Sequence, residues 1–438
     1  MSTLANDATE PLQAKAMEMQ HSPLRVMRII DRMIVGGPTR HVIWLTQGLD
    51  ASKFTTELVT GSAARGEVDV TPRLIAAGLD PAIVPELSRE LGPKDAIALF
   101  KLLKLMWRFQ PEIVHTHKSK AGALGRTAAL LYKWLTPSAF RLKPRKCYTV
   151  HTYHGHIFHS YYSPLKTGFF LTIERLLAKI ATDRIVVISE QQRREISEHF
   201  KVGSPRQFRV IPLGIDFDEM DSSPGLFRAQ HNIAGEEVVI GAAGRICEVK
   251  NYSLLLAAAA RLAERRPKAE KRRFVIAGEG HLRSELEKVA QSLGVAQEVL
   301  FSGVCWEMNR FYADIDLVAL TSLNEGTPLT LIEAMACGRA VISTEVGGVV
   351  DIMGDRLETN RHFSVWSHGI TIPSGRAEDF AIGLEFLLND ARLRARMGEA
   401  GRRSVRSKFC KSRLIADIQQ LYASLLENAG PARGNSIS

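Results

Sequence analysis

The sequence lacks the features of secreted and membrane-spanning proteins. Its five cysteines are odd in number and widely scattered, so they form neither a disulfide framework nor a metal-binding spacing. No segment reaches the roughly 18 uninterrupted apolar residues of a membrane span, and the polar N-terminus has no apolar core of a secretory signal. We therefore expect a cytoplasmic protein, either free or peripheral on the inner face of the cell membrane.

Acidic residues are scarce in one part of the first half of the chain. Residues 1–218 hold 30 Lys and Arg against 20 Asp and Glu, whereas residues 219–438 hold 27 of each, so the first half carries the whole net charge of +10. Residues 101–150 contain 11 basic residues and one acidic residue. Such a basic face attracts an anionic partner. Without a recognisable module or a series of stacking aromatic residues, it does not indicate nucleic acid.

The composition and the order of apolar segments predict an α/β fold. The chain has 438 residues, of which 45% are hydrophobic and 24% charged, as in a soluble globular protein of two large domains. Short apolar runs alternate with helix-like stretches in two series, which predicts two facing doubly wound, Rossmann-like parallel sheets with a cleft between them. The expected segments are flexible tails at 1–22 and 428–438, domains at 23–213 and 236–427, and a linker at 214–235.

The sequence NEGTPLTLIEAMACG, residues 324–338, predicts a loop that leads into a helix. Thr327 can cap this helix and Pro328 suits its first turn, so free backbone N–H groups would form an anion site. Two carboxylates accompany that site, Glu325 in the loop and Glu333 on the helix. Because a carboxylate accepts two hydrogen bonds from a diol, one of them could bind a sugar ring. Both could also be ordinary solvated side chains.

Two further turns follow predicted strands of the two domains. Gly36 and Gly37 follow the first strand and would let the backbone approach a ligand, although such a turn alone is weak evidence. Arg245 follows a strand of the second domain, and Lys250 comes five residues later. A planar guanidinium and a mobile ammonium suit a diphosphate, which they could neutralise without a metal.

The histidines and the Asp-x-Asp sequence are not predicted to bind a metal. Residues 150–156 contain several histidines at one strand end, but alternating strand residues point to opposite faces and no thiol or carboxylate partner is adjacent. A single histidine, His154, is more suited to contact a sugar hydroxyl or the reacting carbon. Asp314 and Asp316 lead into a strand and are interpreted as a turn.

A second phosphate site and a membrane-facing surface are both suggested in the basic half. His117 ends a strand, and Lys118 and Lys120 begin the following helix, which would place an acceptor or lipid phosphate there. A helix over residues 94–108 and a loop over 137–146 carry cations together with apolar residues, a combination that could rest on an anionic membrane. A half-buried helix with a solvated basic edge would show the same pattern.

These motifs resemble the family 4 retaining glycosyltransferases with the GT-B fold, and the resemblance extends over residues 24–422. Glu325 and Glu333 match the E-x7-E signature of that family, and residues 36–41, 245–250, 277–280 and 346–348 fall in its expected order. The resemblance implies that Glu325, Arg245, Lys250 and His154 act in catalysis. It implies that the donor is bound by Gly36, Gly37, Arg245, Lys250, Gly326, Thr327, Pro328, Leu329 and Glu333. Residues 212–216, PLGID, depart from the usual family pattern.

The resemblance also implies a reaction and its partners. The donor would be a nucleotide diphosphate sugar, with UDP expected, and the acceptor a glycan or a polyprenyl-diphosphate-linked sugar. Since Glu325 and Glu333 are both assigned to the donor, no carboxylate is left as nucleophile across the bond. We therefore expect front-face substitution without cofactor or metal. An epimerase or phosphorylase of the same fold, or a non-catalytic sugar-binding protein with two lobes, would also fit.

Overall fold

Two open sheets organise the chain. The computed structural model describes residues 22–64, 67–87, 92–141, 143–155, 164–220, 223–265 and 271–427, so the two predicted tails lie almost wholly outside the described residues. The strands of the first sheet are β1 Leu24–Arg32, β2 Phe54–Gly61, β3 Ala82–Ile83, β4 Ile113–His117, β5 Tyr148–Thr152, β6 Arg184–Val187 and β7 Phe208–Val210. Those of the second are β8 Val238–Ala243, β9 Arg272–Ala277, β10 Val299–Gly303, β11 Leu317–Leu320, β12 Ala340–Thr344, β13 Arg356–Thr359, β14 Ser364–Trp366 and β15 Gly369–Ile372.

Helices cover both faces of these sheets. The described α-helices are α1 Gly37–Gly48, α2 Thr71–Ala76, α3 Lys94–Phe109, α4 Ser119–Trp134, α5 Pro164–Ile180, α6 Glu190–Arg194, α7 Leu226–Gln230, α8 Tyr252–Arg265, α9 Arg283–Ser292, α10 Met308–Asp314, α11 Leu329–Ala336, α12 Ala377–Asn389, α13 Ala391–Lys408 and α14 Lys411–Glu427. A π-helical turn, Glu195–His199, extends α6, and short 3-10 helices include Pro137–Arg141, Glu248–Lys250 and Gly347–Ile352. In the part of the chain that is described, no helix is both long and apolar enough to cross a membrane.

The first sheet has the order β3-β2-β1-β4-β5-β6-β7, and its described pairs are all parallel. Strand β1 is buried along almost its whole length because helices cover both faces. The register places Ile30 opposite His117, and His117 opposite Thr152. The carboxyl ends of β1, β4 and β5 therefore meet at one edge, where ligands bind in open parallel sheets.

The second sheet has the order β10-β9-β8-β11-β12-β15-β14-β13. Its strands are parallel except at the edge, where β14 pairs antiparallel with both β13 and β15. Strands β13 and β14 were not predicted from the sequence, because both are short and β13 is exposed along its length. The α/β fold with two facing parallel-sheet domains is confirmed.

The last helix corrects the predicted domain division. The sequence predicts that α14 belongs to the C-terminal domain over 236–427, whereas its stripe of Leu414, Ile418, Leu421 and Leu425 packs against the first sheet, in the cluster that contains Val26. An apolar stripe predicts that a helix is buried, but it does not say against which sheet. The chain thus crosses between the domains a second time. The predicted linker also contains a short helix, α7.

Candidate active site

A cleft of about 1770 Å³ lies between the two domains. Its lining comes from both of them. The N-terminal domain contributes the glycine turn of Gly36 and Gly37, and the C-terminal domain contributes Arg245 and Glu333. The loops after parallel strands of both sheets meet here, so the cleft has the position expected of a ligand site.

The lysine and the first glutamate of the predicted site lie in direct contact. Lys250 Nζ is 2.6 Å from Glu325 Oε1, and Ser322 Oγ donates to the same oxygen at 2.6 Å. The two charged side chains are about four-fifths or more buried. Arg245 is half exposed and lies 4.0 Å from Glu67 of the opposite domain. One cation is therefore held beside a carboxylate, and a second, half-exposed cation lines the cleft.

Helix α11 begins two residues later than Thr327, which corrects the predicted cap. Pro328 occupies the N-cap position, and no side chain caps the helix there. Thr327 Oγ1 is buried without a hydrogen-bond partner among the described residues. The first N–H groups of α11 have no partner within the helix itself, and Leu329 and Thr330 line the cleft. The anion site at the start of α11 stays a prediction, and the predicted threonine cap is wrong.

The second glutamate is held by one side chain from each domain. Arg40, on α1, forms an ion pair through Nη1 with Glu333 Oε1, and Tyr312 Oη donates to Oε2 at 3.1 Å. Burial raises the pKa of the Glu333 carboxyl, and Arg40 and Tyr312 oppose that shift. Glu333 is therefore a buried carboxylate at the domain boundary. Neither Arg40 nor Tyr312 was predicted from the sequence.

Glycines allow the domains to touch around this site. A Cβ on Gly326 would lie 3.0 Å from Gly155 Cα and 3.2 Å from the carbonyl oxygen of His154. A Cβ on Gly37 would lie 2.6 Å from Leu329 Cδ1. The loop that contains Glu325 thus packs directly on the strand end that contains His154.

Three histidines cluster at the edge of the first sheet. One ring nitrogen each of His41, His117 and His154 lie within 4.8 Å of one another, and His117 Nδ1 is 2.9 Å from His154 Nε2. Burial lowers the pKa of all three, to about 3 for His41. Neither ring nitrogen of His41 has a hydrogen-bond partner among the described residues. The three imidazoles are therefore neutral and poorly satisfied.

The surroundings of this cluster do not favour a metal cation. The cluster contains no carboxylate or thiolate, and the charges that act on it are cationic, from Arg28 and Lys118. Divalent metals are usually held where anionic or carboxylate-oriented ligands offset their charge. The neutral imidazole of His154 is therefore better suited to hydrogen bonding than to holding a metal.

Two family descriptions match the chain, one for each domain. The description "Glycosyltransferase Family 4" matches residues 35–219, and "Glycosyl transferases group 1" matches residues 225–404. Together they cover both sides of the cleft. The chain belongs to the family 4, group 1 glycosyltransferases.

Relatives with this activity align over most of the chain. A UDP-Gal:alpha-D-GlcNAc-diphosphoundecaprenol alpha-1,3-galactosyltransferase of Escherichia coli is 27% identical over 336 residues, which are 76% of this chain and 82% of the relative. A D-inositol 3-phosphate glycosyltransferase of Streptomyces bingchenggensis is 25% identical over 409 residues, 89% and 85% of the two chains. The protein is thus an enzyme of the glycosyltransferase class, which sets aside the alternative of a non-catalytic sugar-binding protein.

Solved structures show the same architecture. Anabaena HepE in complex with UDP and glucose superposes with a TM-score of 0.72 at 17% identity, over 92% of this chain and all of that one. WaaG, a glycosyltransferase involved in lipopolysaccharide biosynthesis, gives 0.63 at 15% identity over 94% and 100%. The glycosyltransferase has the GT-B fold.

The glycosyltransferase pairs both lysines of the predicted acceptor phosphate site with aspartates. Lys118 Nζ lies 2.8 Å from Asp31 Oδ1, and burial lowers the pKa of this lysine. Lys120 Nζ lies 2.7 Å from Asp95 on α3, and its side chain is 7% exposed. His117 is fully buried in the histidine cluster. Lys120 is therefore engaged beside α3 rather than presented to the cleft.

The Asp-x-Asp sequence of the glycosyltransferase has a structural role. Asp314 accepts hydrogen bonds from the backbone N–H groups of Gly225 and Arg228. Asp316 Oδ2 lies 2.8 Å from the Arg228 guanidinium and accepts from the N–H of Val239 at 2.8 Å. The two carboxylates thus tie α7 and the start of β8 to the turn between α10 and β11.

The residues that the sequence analysis missed are those that face the site from another element. Arg40 lies in the first turn after the glycine turn, next to His41, and this position was the only signal that could have indicated it. Tyr312 is two residues before the end of α10 and carries no local signal. Ser322 lies just before the predicted loop over 324–338 and was not predicted as a site residue.

Proposed function

We propose that this enzyme is a retaining glycosyltransferase that moves a sugar from a UDP-linked donor to a hydroxyl of a glycan or a polyprenyl-diphosphate-linked acceptor. The observation that carries the proposal is the contact between Lys250 and Glu325 in the loop that leads into α11. It supports the proposal because a cation suited to phosphate lies beside a carboxylate suited to sugar hydroxyls, and a nucleotide diphosphate sugar has both groups next to each other. The named activity of the Escherichia coli relative and the UDP complex of HepE support the choice of donor.

In this proposal each part of the donor meets one part of the cleft. Arg245, Lys250 and the N–H groups at the start of α11 bind the diphosphate, because a fork, a point charge and a helix end all favour phosphate oxygens. Gly36 and Gly37 close over it from the other domain. Glu325 accepts hydrogen bonds from the hydroxyls of the transferred sugar, and Glu333 accepts them from the ribose. No metal or cofactor is required, since the cationic side chains supply the charge.

The proposed reaction proceeds on one face of the sugar. The acceptor oxygen bonds to the anomeric carbon on the side from which the diphosphate leaves, and the bond from that carbon to the phosphate oxygen breaks. The departing phosphate oxygen takes the proton of the acceptor hydroxyl. Lys250, Arg245 and the helix end stabilise the charge that develops on the phosphate. Neutral His154, whose buried Nδ1 has no hydrogen-bond partner among the described residues, is proposed to hydrogen-bond a sugar hydroxyl.

On the acceptor side, the proposal uses the edge of the first sheet. We assign the acceptor phosphate to Lys118. Its ion pair with Asp31 is mostly buried, but 22% of the lysine side chain is exposed, so a phosphate could reach it. On binding a phosphate, Lys118 would exchange its anionic partner Asp31 for the anionic phosphate. Lys120 is not part of this proposal because Asp95 engages it.

We further propose that α3 rests on an anionic membrane. Its exposed side presents Ile97, Phe100 and Trp107, which are 49%, 64% and 41% exposed, together with exposed Lys94 and Lys104. Apolar side chains between cations suit the headgroup region of a bilayer. The other two cations of this helix are engaged by glutamates, so fewer charges face outward than the sequence suggested.

The donor and mechanism are tested by turnover. The protein is incubated with a panel of nucleotide sugars, release of nucleotide is followed, and the assay is repeated with a lipid-linked acceptor whose product is examined for anomeric configuration. We expect Lys250→Ala to lower turnover at saturating donor by roughly a hundredfold or more, while Lys288→Ala on exposed α9 has no effect. Normal turnover of Lys250→Ala at saturating donor, or an inverted product, would contradict the mechanism. Conversion of the donor without acceptor would indicate an epimerase.

The membrane proposal is tested by flotation with anionic vesicles. Wild-type protein should float in a salt-sensitive way, and Phe100→Glu should remove that binding. Phe169→Glu, which changes an equally exposed phenylalanine on α5, serves as the control. Absence of salt-sensitive flotation of the wild type rejects the membrane surface.

A further inference from the structure

The two oxygens of Glu333 are each occupied by one partner, from different domains. Arg40 Nη1 pairs with Oε1 from α1, and Tyr312 Oη donates to Oε2 at 3.1 Å from α10. Tyr312 is fully buried, and the Glu333 side chain is 7% exposed. All three residues line the cleft. The carboxylate is therefore fixed in orientation before any nucleotide arrives.

The number of acceptor positions matches a ribose diol. A carboxylate can accept about four hydrogen bonds. Arg40 and Tyr312 use one on each oxygen, which leaves one on each oxygen for a further donor. Two neighbouring ribose hydroxyls supply two such donors. The existing partners thus do not have to be displaced by the ribose that the proposed function assigns to Glu333.

Two further side chains hold Arg40 in place. Its guanidinium lies 5.1 Å from the ring centroid of Trp44 on the same helix. Its Nη2 lies 3.5 Å from Glu219 Oε2, in the segment that joins the domains. The neighbouring glycine turn contacts Leu329 at the start of α11. The pair of Arg40 with Glu333 can therefore form only when α1 lies against the second domain.

We infer that Arg40 and Tyr312 are positioning residues that keep Glu333 ionised and aimed at the 2′- and 3′-hydroxyls of the donor nucleotide, so that recognition of ribose depends on contact between the domains. This inference rests on the proposed function, because it assumes that a nucleotide occupies the cleft. It adds two residues, from opposite domains, whose effect on the ligand passes through Glu333.

The charge on Glu333 gives the inference a signature that a merely structural role would lack. Burial raises the pKa of Glu333, whereas Arg40 and Tyr312 oppose that rise. Only the ionised carboxylate accepts from both hydroxyls, so ribose-dependent binding is lost as the pH falls through this pKa. Removing either partner raises the pKa and moves the loss to higher pH. The other titratable groups that face the pair are Glu219 beside Arg40 and Cys337 near Tyr312.

The experiment compares the binding of UDP and of 2′-deoxyUDP by calorimetry between about pH 5 and about pH 9, a range that starts just above the ordinary pKa of a glutamate carboxyl. The two nucleotides share base and phosphates, so the ratio of their dissociation constants removes the titration of the diphosphate and of its cationic partners. The variants are Tyr312→Phe, Arg40→Gln and Arg40→Lys, the last of which keeps the charge if Arg40→Gln is poorly folded.

A matched control exists in the second domain. Arg273 pairs with Glu237 with side-chain exposures of 29% and 8%, against 31% and 7% for Arg40 and Glu333. This pair does not line the cleft. Arg273→Gln should therefore leave the binding of both nucleotides unchanged at every pH.

We expect the wild type to prefer UDP over 2′-deoxyUDP by roughly tenfold or more, the usual value of a hydrogen bond to a charged group. In Tyr312→Phe and Arg40→Gln this preference should be smaller than in the wild type near neutral pH and should return at higher pH. The preference of Arg40→Lys should lie between that of the wild type and that of these two variants. If both variants keep the wild-type preference and pH profile, the inference is overturned while the proposed function stands. If the wild type binds neither nucleotide, the proposed function fails with it.

Discussion

Arg126 and Glu174 form a buried ion pair directly behind the strand end that carries His154. Arg126 Nη2 donates to both carboxylate oxygens at 2.8 and 2.7 Å, and Tyr153 Oη donates to Oε2 at 2.7 Å. The arginine side chain is fully buried and that of the glutamate is 6% exposed. We predict that Arg126→Met, which keeps the length of the side chain and removes its charge, strongly destabilises the first domain.

The loss of stability in Arg126→Met depends on what happens to the Glu174 carboxylate once its cationic partner is removed. Removing one partner of a buried pair costs about 3 to 5 kcal/mol. The carboxyl can limit this cost by taking up a proton, and protonating a group with an ordinary pKa of about 4.3 at pH 7 costs about 3.7 kcal/mol. We therefore expect a loss of about 3 to 4 kcal/mol in the free energy of unfolding at pH 7.

The pH dependence has a definite sign. Burial without a cationic partner disfavours the charged form of any carboxyl, so the penalty of Arg126→Met is present at neutral pH. It shrinks by about 1.4 kcal/mol for each pH unit of acidification until the ordinary pKa of a glutamate carboxyl is reached. Arg126→Met combined with Glu174→Leu should recover most of the loss, because no buried charge is left unpaired.

Urea unfolding of the first domain at pH 7 and at pH 5 measures these quantities. Arg265→Met is the control, since Arg265 pairs with Glu378 at the surface and should matter much less. The reasoning is refuted if Arg126→Met loses less than about 1 kcal/mol at pH 7, or if its loss is the same at both pH values.

Three further predictions concern the cleft and its surroundings. Gly326→Ala should lower turnover roughly tenfold without changing the melting temperature, because its Cβ would press on Gly155 and the domains could not close fully; unchanged kinetics would contradict this. Tyr422→Phe should cost about 1 to 3 kcal/mol in urea unfolding, because Tyr422 Oη is 2.6 Å from His115 Nδ1 and the buried ring nitrogen would be left unpaired. Dialysis against EDTA should leave turnover unchanged, and a loss that added metal restores would refute the cationic diphosphate site.

The two-sheet architecture could be predicted because each series of apolar runs is long and regular. The two series of apolar runs and helix-like stretches correspond to the strands and helices of the two sheets. Strands β13 and β14 escaped prediction because an exposed antiparallel edge lacks the continuous apolar run of a buried parallel strand. The position of α14 was not predicted, because only tertiary contacts decide against which of the two sheets its apolar stripe packs.

The candidate site was predictable where its residues share one stretch of chain. The residues of 324–338 and the pair of Arg245 and Lys250 lie at strand ends of one sheet, and pattern and spacing indicate such positions. Arg40 and Tyr312 reach Glu333 from separate elements. No local pattern reports such a contact, because it depends on how the two domains meet. The same limit explains why the aspartate partners of Lys118 and Lys120 were not foreseen.

The double crossing of the chain between the domains restricts how they can move. The two crossings run side by side: Ile215 N donates to Phe409 O at 2.7 Å, and Lys411 N donates to Ile215 O at 2.9 Å. Two adjacent, hydrogen-bonded connections bend easily about one axis but resist twisting and sliding. Opening of the cleft is therefore expected to be a rotation with one main degree of freedom. A proteolytic cut in either crossing would leave the domains joined through the other one. After a cut in the second crossing, α14 would stay packed on the first sheet.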